Sequence, residues 1–260
     1  MKLDVYFIDA FADKVFTGNP AAVIFTDIND EKLMQKIAFE NNLSETAFVN
    51  LSKDTNHIRW FSPLKEVDLC GHATLASGFA YFNFINKDQN EVTFMSASGE
   101  LSVSKNNDLY ELNFPKDNLI EIDLEDQVED SIGVKPVETY IGDINLIAIL
   151  DSEEAIKELN PDFNKLINLE GQGLIVTAQS NEYDFVSRYF CPKYGINEDP
   201  VTGSAHTSLI PYWSERLKSS ELVAKQVSDR GGVLYCKNQD TRVLISGKAV
   251  LYMKGEIQLS

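Results

Sequence analysis

Arg59-Trp60-Phe61-Ser62-Pro63 returns 129 positions later as Arg188-Tyr189-Phe190-Cys191-Pro192, and each copy leads into a cluster of small residues. The first cluster is Asp68-Leu69-Cys70-Gly71-His72-Ala73-Thr74-Leu75. The second is Asp199-Pro200-Val201-Thr202-Gly203-Ser204-Ala205-His206-Thr207, with Gly71 and Gly203 offset by 132. A third pair keeps the order: Ser98-Gly99-Glu100-Leu101-Ser102-Val103 against Gly231-Gly232-Val233-Leu234-Tyr235-Cys236, with Gly99 and Gly232 offset by 133. Three colinear matches that drift by only a few positions argue for a duplicated unit. A repeat of roughly 130 residues is too long for a solenoid module, so the chain reads as two homologous domains related by a pseudo-twofold, with a cleft between the copies.

The 260 residues suffice for two cores, and 43% hydrophobic with 24% charged residues is an ordinary globular balance. Alternating patterns predict strands at 3–10, 21–26, 46–49, 58–61, 91–95, 100–103 and 109–114, and an amphipathic helix from Asp30 to Asn41 with Leu33, Met34, Ile37 and Ala38 on one stripe. From Gly71 to Ile85 hardly any polar face is left, which predicts a buried helix wrapped by sheet. Pro115-Lys116-Asp117-Asn118 reads as the linker. The second half repeats the plan, with strands at 140–150 and 174–178, another just before Pro192, and further strands at 222–226, 232–236, 242–246 and 249–253. It adds helical pieces at 152–159 and 162–168 and a helix from Val201 to Leu217. The fold class is therefore α+β: two homologous domains, 1–115 and 119–260, each a mixed sheet curled around a central helix. The last strand is free to pack back on the first half.

A net charge of −17 with no block of Lys and Arg speaks against nucleic acid and anionic membrane as partners. The chain enters a strand pattern at its start without a signal peptide, and no apolar run reaches membrane-spanning length. Three cysteines, Cys70, Cys191 and Cys236, stand in no CxxC spacing. Together these features point to a cytoplasmic protein with reduced thiols. His57, His72 and His206 are the only histidines and fall in no metal-ligand spacing, so no metal site is expected. GxSxG, Walker and GxGxxG motifs are absent from the sequence, leaving hydrolase, nucleotidase and dehydrogenase readings without support.

Both small-residue clusters sit where a loop feeds a central helix. First-turn amides have no intrahelical partner and carry the positive end of the helix dipole, so they suit a carboxylate or phosphate. Gly71 and His72 in one half, with Gly203 and Ser204 in the other, are thus expected to clamp one anion. The plainer alternative is that small residues merely let helix and sheet approach closely.

Five motifs carry a resemblance: Gly18-Asn19-Pro20-Ala21-Ala22-Val23, Leu43-Ser44-Glu45-Thr46-Ala47-Phe48, Arg59-Trp60-Phe61-Ser62-Pro63, Glu66-Val67-Asp68-Leu69-Cys70-Gly71-His72-Ala73-Thr74, and Glu198-Asp199-Pro200-Val201-Thr202-Gly203-Ser204-Ala205-His206. Together they resemble the PhzF-like phenazine-biosynthesis isomerase family. The resemblance implies a diaminopimelate-epimerase-like fold, a homodimer, and a cofactor-independent isomerisation in which a glutamate moves a proton on a small cyclic amino acid, dihydro-hydroxyanthranilate. By the same resemblance that glutamate is Glu45, with His72 and Asp199 as its catalytic companions. Gly71, Gly203, Ser204 and Asn19 then bind the substrate.

The residues themselves give Glu45 an apolar, hydroxyl-bearing setting in which desolvation is expected to raise its pKa into a range useful for proton transfer. Its repeat partner is about Leu174, so one half alone supplies the acid. An ordinary edge carboxylate is the competing reading. Asp199 before Pro200 has the arrangement of an N-cap followed by proline at the first helical position. Cys70 at a helix start invites a base or nucleophile reading. The related diaminopimelate epimerases use a cysteine from each half, but Thr202 occupies the second position in this chain, which disfavours two-base epimerisation and leaves Cys70 as a packing residue. An amino-acid racemase or epimerase of the same fold, and a non-catalytic binder of small acids, are the rival functions.

Overall fold

In the computed structural model, which describes residues 1–259, the chain divides into two compact units: Met1–Asn113 with Ser246–Ser260, and Phe114–Ile245. The first unit runs β1 (Lys2–Ala10), β2 (Asn19–Phe25), α1 (Glu31–Asn41), β3 (Glu45–Asn50), β4 (Asn56–Phe61), β5 (Glu66–Val67), α2 (Gly71–Ala80), β6 (Glu91–Ser96), β7 (Gly99–Asn106) and β8 (Leu109–Pro115). The second runs β9 (Ile120–Glu121), α3 (Glu125–Ile132), β10 (Glu138–Ile141), β11 (Leu146–Ile149), α4 (Glu153–Glu158), α5 (Phe163–Leu166), β12 (Leu174–Gln179), β13 (Phe185–Phe190), β14 (Glu198–Asp199), α6 (His206–Leu217), β15 (Glu221–Gln226), β16 (Gly232–Asn238) and β17 (Arg242–Gly247). The chain then ends in β18 (Ala249–Gln258).

The duplication read from the motifs is repeated strand for strand. In the first unit β1 pairs antiparallel with β2, β2 parallel with β3, β3 antiparallel with β4, β4 parallel with β6, and β6 antiparallel with β7. In the second, β10, β11, β12, β13, β15 and β16 pair in the same order with the same alternation of directions. The parallel pairings explain the helices, because a parallel connection needs a crossover. α1 bridges β2 and β3, as α4 and α5 bridge β11 and β12; α2 bridges β4 and β6, as α6 bridges β13 and β15. The outer neighbour of the first strand is supplied differently in each unit. β9 pairs with β10 from just upstream, whereas β1 pairs with β18 along its whole length.

The recurrent Arg-x-Phe-x-Pro motif is a scaffold device. Arg59 makes a bidentate ion pair with Glu66 at 2.6 and 2.7 Å, joining β4 to β5, and its guanidinium lies 5.2 Å from the Phe61 ring centre. Arg188 does the same with Glu198 at 2.8 Å for both contacts and lies 4.8 Å from Phe190. A planar fork that binds a carboxylate and stacks on a ring explains why arginine stands at both places.

α1 starts as its pattern predicts, with the Asp30 side chain accepting from the amides of Lys32 and Leu33. Its Met34, Ile37 and Ala38 pack on Leu3, Val5, Ile24, Phe48 and Phe61. α2 is the central helix of the first unit: every residue but Phe79 is buried, and it touches β1, β2, β3, β7 and β18. Full burial of Leu75 alone contributes about 1.5 to 3 kcal/mol. Gly78 permits this depth, since a Cβ there would meet Val103 Cγ1 at 2.5 Å. The helix continues as a wider π turn over Tyr81–Ile85, so the predicted span to Ile85 is helical but not uniformly α. In the second unit α6 packs on β15 and β16, and Trp213 donates from Nε1 to Thr177 Oγ1 of β12 at 2.9 Å.

Four expectations need correction. The predicted strand 140–150 is two strands, β10 and β11, because Gly142-Asp143 turns the chain back on itself. α3 was not predicted at all: its apolar residues Val128 and Ile132, after Leu124, make a single narrow stripe in an acidic segment. α6 begins at His206 rather than Val201, and residues 201–205 form turns. Asp199 is accordingly not an N-cap; it lies in β14, and α6 has no side-chain cap. No helix among the described residues is long and apolar enough to cross a membrane.

Candidate active site

Strand β2 opens with Asn19, strand β3 opens with Glu45, and helix α2 opens with Gly71 and His72. The parallel register of β2 and β3, in which Ala21 faces Glu45, brings these starts together. Glu45 Oε2 lies 3.2 Å from His72 Nε2; the glutamate side chain is 18% exposed and the histidine 6%. The other ring nitrogen, Nδ1, is 3.1 Å from Asn19 Nδ2 and 3.5 Å from Cys70 Sγ. Asn19 is fully buried, and its Oδ1 accepts from Ser44 Oγ at 3.4 Å. Around one imidazole, then, stand a half-buried carboxylate, a thiol and a buried amide. The amides of Gly71 and His72 lie in the first turn, beyond the reach of helix carbonyls.

Burial disfavours charge on both His72 and Cys70. For the thiol, burial and then the Glu45 carboxylate push the pKa up to about 11, so the sulfur is protonated at neutral pH. For His72 burial is opposed by the sulfur and by Glu45, and the pKa stands well above the ordinary histidine value. With Cys70 a neutral thiol, the charge that favours imidazolium is that of Glu45.

Glu45, Cys70 and His72 are close enough together to suggest a metal site, with ligand atoms within 4.8 Å of one another. Cys70 Sγ is 3.5 Å from Nδ1 and 3.9 Å from Nε2, so the sulfur lies nearer the ring nitrogen that does not face Glu45. A surface cavity of about 610 Å³ in the same unit, lined by Asp27, Asn29, His57, Arg59 and Glu66 among others, contains none of the predicted site residues.

The second unit places its predicted residues on a tight turn before α6. Asp199 is 8% exposed, and its Oδ2 accepts a short hydrogen bond from Thr202 Oγ1. Gly203 is buried and Ser204 half-buried; their carbonyls accept from the amides of His206 and Thr207. Among the described residues the amides of Gly203, Ser204 and Ala205 meet no acceptor. His206 is fully buried, with Nδ1 2.9 Å from the Thr202 carbonyl oxygen, and burial lowers its pKa to about 4.

Gln226, at the end of β15, was missed from the sequence. Its Oε1 accepts from Thr202 N at 2.8 Å, while Nε2 donates to the Asp199 carbonyl at 2.7 Å and to Thr202 Oγ1 at 3.1 Å. The amide therefore closes the turn. A polar residue at an inward position of an otherwise alternating strand was the available signal.

The model of the phenazine biosynthesis-like protein family, PhzC-PhzF, matches residues 8–255. An uncharacterized isomerase of Pseudomonas aeruginosa is 45% identical over 262 residues, covering all of both chains. The crystal structure of a phenazine biosynthesis protein of the PhzF family from Enterococcus faecalis is 47% identical and superposes with a TM-score of 0.97 over the full length of both. A hydroxyproline epimerase from Agrobacterium vitis shares the fold at a TM-score of 0.65 and 9% identity, covering 98% of this chain and 92% of its own. The expected α+β, diaminopimelate-epimerase-like fold is thus the observed one. Match and coverage leave one conclusion: the chain belongs to the PhzC-PhzF family of phenazine biosynthesis-like proteins.

Proposed function

We propose that the protein is a cofactor-independent isomerase that moves a proton on a small carboxylated, cyclic amino-acid-like substrate, with Glu45 as the acid and base. The observation that carries this reading is the half-buried Glu45 carboxylate held 3.2 Å from the buried His72 ring at the start of α2. Relatives that bear the name isomerase support it. One carboxylate suffices for the chemistry: a C–H bond breaks, the proton passes to Glu45, the electron pair delocalises toward the substrate carboxylate, and the same proton returns to another carbon on that face. First-turn amides at Gly71 and His72 stabilise negative charge as it develops without reorganising. His72 orients the carboxylate. In the second unit, Asp199, Gly203 and Ser204 are proposed as substrate contacts, Asp199 toward an amine or hydroxyl and the two amides toward a carboxylate. Asn19, fully buried beside the His72 ring, is proposed to reach the substrate side of the site through that ring. The reading extends to a homodimer in the cytoplasm.

The test is incubation of the protein with a library of cyclic and aromatic amino acids in deuterated water, followed by NMR of the products. An isomer with a shifted double bond that keeps part of its original proton supports the proposal. Inversion at a single carbon, with solvent deuterium incorporated there, would replace it by an epimerase.

A further inference from the structure

Asn19 has one partner that no sequence motif discloses, the ring of His72. A primary amide offers a donor on one side and an acceptor on the other. A neutral imidazole with its proton on Nε2 needs a donor at Nδ1, and the Asn19 NH₂ group at 3.1 Å is that donor. An imidazolium needs an acceptor at Nδ1, and the same amide turned over presents its oxygen. Ser44 completes the set, because its hydroxyl, 3.4 Å from Asn19 Oδ1, can donate to the amide oxygen or accept from the amide nitrogen. Either state of His72 is therefore served without moving the backbone.

We propose that Asn19 is a positioning residue which, with Ser44, fixes the proton of neutral His72 on Nε2, where it is donated to Glu45 Oε2. That assigns the two carboxylate oxygens different tasks. Oε2 is held by His72, and Oε1 is the oxygen that exchanges a proton with substrate. The inference rests on the proposed role of Glu45 for its catalytic meaning, but its structural content stands apart from any activity. The titratable groups facing His72 are Glu45 from β3 and Cys70 ahead of α2; from β2 the contact is Asn19 itself, which carries no charge.

The experiment is long-range ¹H–¹⁵N correlation on ligand-free protein labelled at histidine, followed from acid to alkaline pH. Signals are assigned with His57→Gln and His206→Thr. The neutral form of His72 is expected to show the Nε2–H tautomer. Asn19→Asp, which places a carboxylate against Nδ1, should raise the His72 titration midpoint by roughly one pH unit or more. Asn19→Ala should give a mixture of tautomers. An Nδ1–H tautomer in the wild-type protein overturns the proposal without any variant. So does a His72 tautomer and midpoint that are the same in wild type, Asn19→Asp and Asn19→Ala. A failure of Glu45 as the base appears elsewhere, as full turnover by Glu45→Gln with this histidine pattern unchanged.

Discussion

Cys70-Gly71-His72-Ala73-Thr74 and Thr202-Gly203-Ser204-Ala205-His206 occupy the same place in two sheets with the same strand order, yet their polar groups face opposite tasks. In each stretch the fifth residue bonds back to the carbonyl of the first: Thr74 Oγ1 to Cys70 O at 2.5 Å, His206 Nδ1 to Thr202 O at 2.9 Å. The third residue differs, a histidine against Glu45 in one unit and Ser204 in the other. The strand facing it differs too, because β3 opens with Glu45 where β12 opens with Leu174. One unit has gathered a carboxylate, an imidazole and a thiol, while the other has locked a turn of bare amides with Gln226. Duplication supplied two scaffolds of the same strand order, and a handful of side chains sets their chemistry apart.

The sharpest way to break that contrast is Glu45→Gln. It keeps size and hydrogen bonding to His72 but cannot take a proton, so turnover should fall by about 10² to 10⁴ with ligand affinity nearly unchanged in calorimetry. Turnover within a few-fold of wild type would remove the chemical distinction between the units.

Next in size is Gln226→Leu, aimed at the second unit. The substitution withdraws both ends of a buried amide and leaves Thr202 N–H and the Asp199 carbonyl without those partners, so a loss of about 3 kcal/mol in stability is expected. Denaturant unfolding measures it. A loss below half of that would mean that the turn holds itself.

Much of this contrast was legible in the residues, and the illegible part has physical reasons. Period-two patterns located nearly every strand, and the lack of a polar face on 71–85 announced a helix wrapped by sheet. Asp199-Pro200 misled because proline suits a first helical turn; here the aspartate is engaged by Thr202 Oγ1 and the helix waits until His206. Asp117, in a segment that reads as a linker, is tied to Ser208 Oγ and to the amide of Asp143, long-range contacts that local pattern cannot encode. Gln226 and the Asn19–His72 contact belong to the same class: each joins residues far apart in sequence. The last strand does pack back on the first half, as its freedom to do so allowed, but its pairing with β1 in particular joins opposite ends of the chain and was beyond local pattern.

A smaller effect separates the two fifth residues. His206 is neutral when folded, its pKa lowered to about 4 by burial, whereas an unfolded chain binds that proton near the ordinary histidine value. The unfolded state therefore holds more protons between about pH 6.5 and 4, and stability falls as pH is lowered through that window. His206→Thr, which installs the residue found at the matching place in the first unit, should be less stable at neutral pH but should lose that part of the acid slope. Urea midpoints at pH 7 and pH 4.5 for both proteins decide it; parallel slopes would show that other groups carry the acid response.

The smallest expected effect is at the first residue of the stretch. Cys70 touches His72, so a catalytic thiol is the natural suspicion. Two facts weigh against it. Burial and the Glu45 carboxylate push the thiol pKa up to about 11, leaving almost no thiolate at neutral pH. The matching residue, Thr202, donates its hydroxyl proton to Asp199 and offers no opposing base. Cys70→Ala removes only a small apolar group, and turnover should stay within about threefold of wild type, against the 10²-fold or greater loss that removal of a working base brings. A folded Cys70→Ala protein that is inactive, together with solvent deuterium entering at one inverted carbon, would overturn the single-base reading and end the division of labour drawn from the comparison.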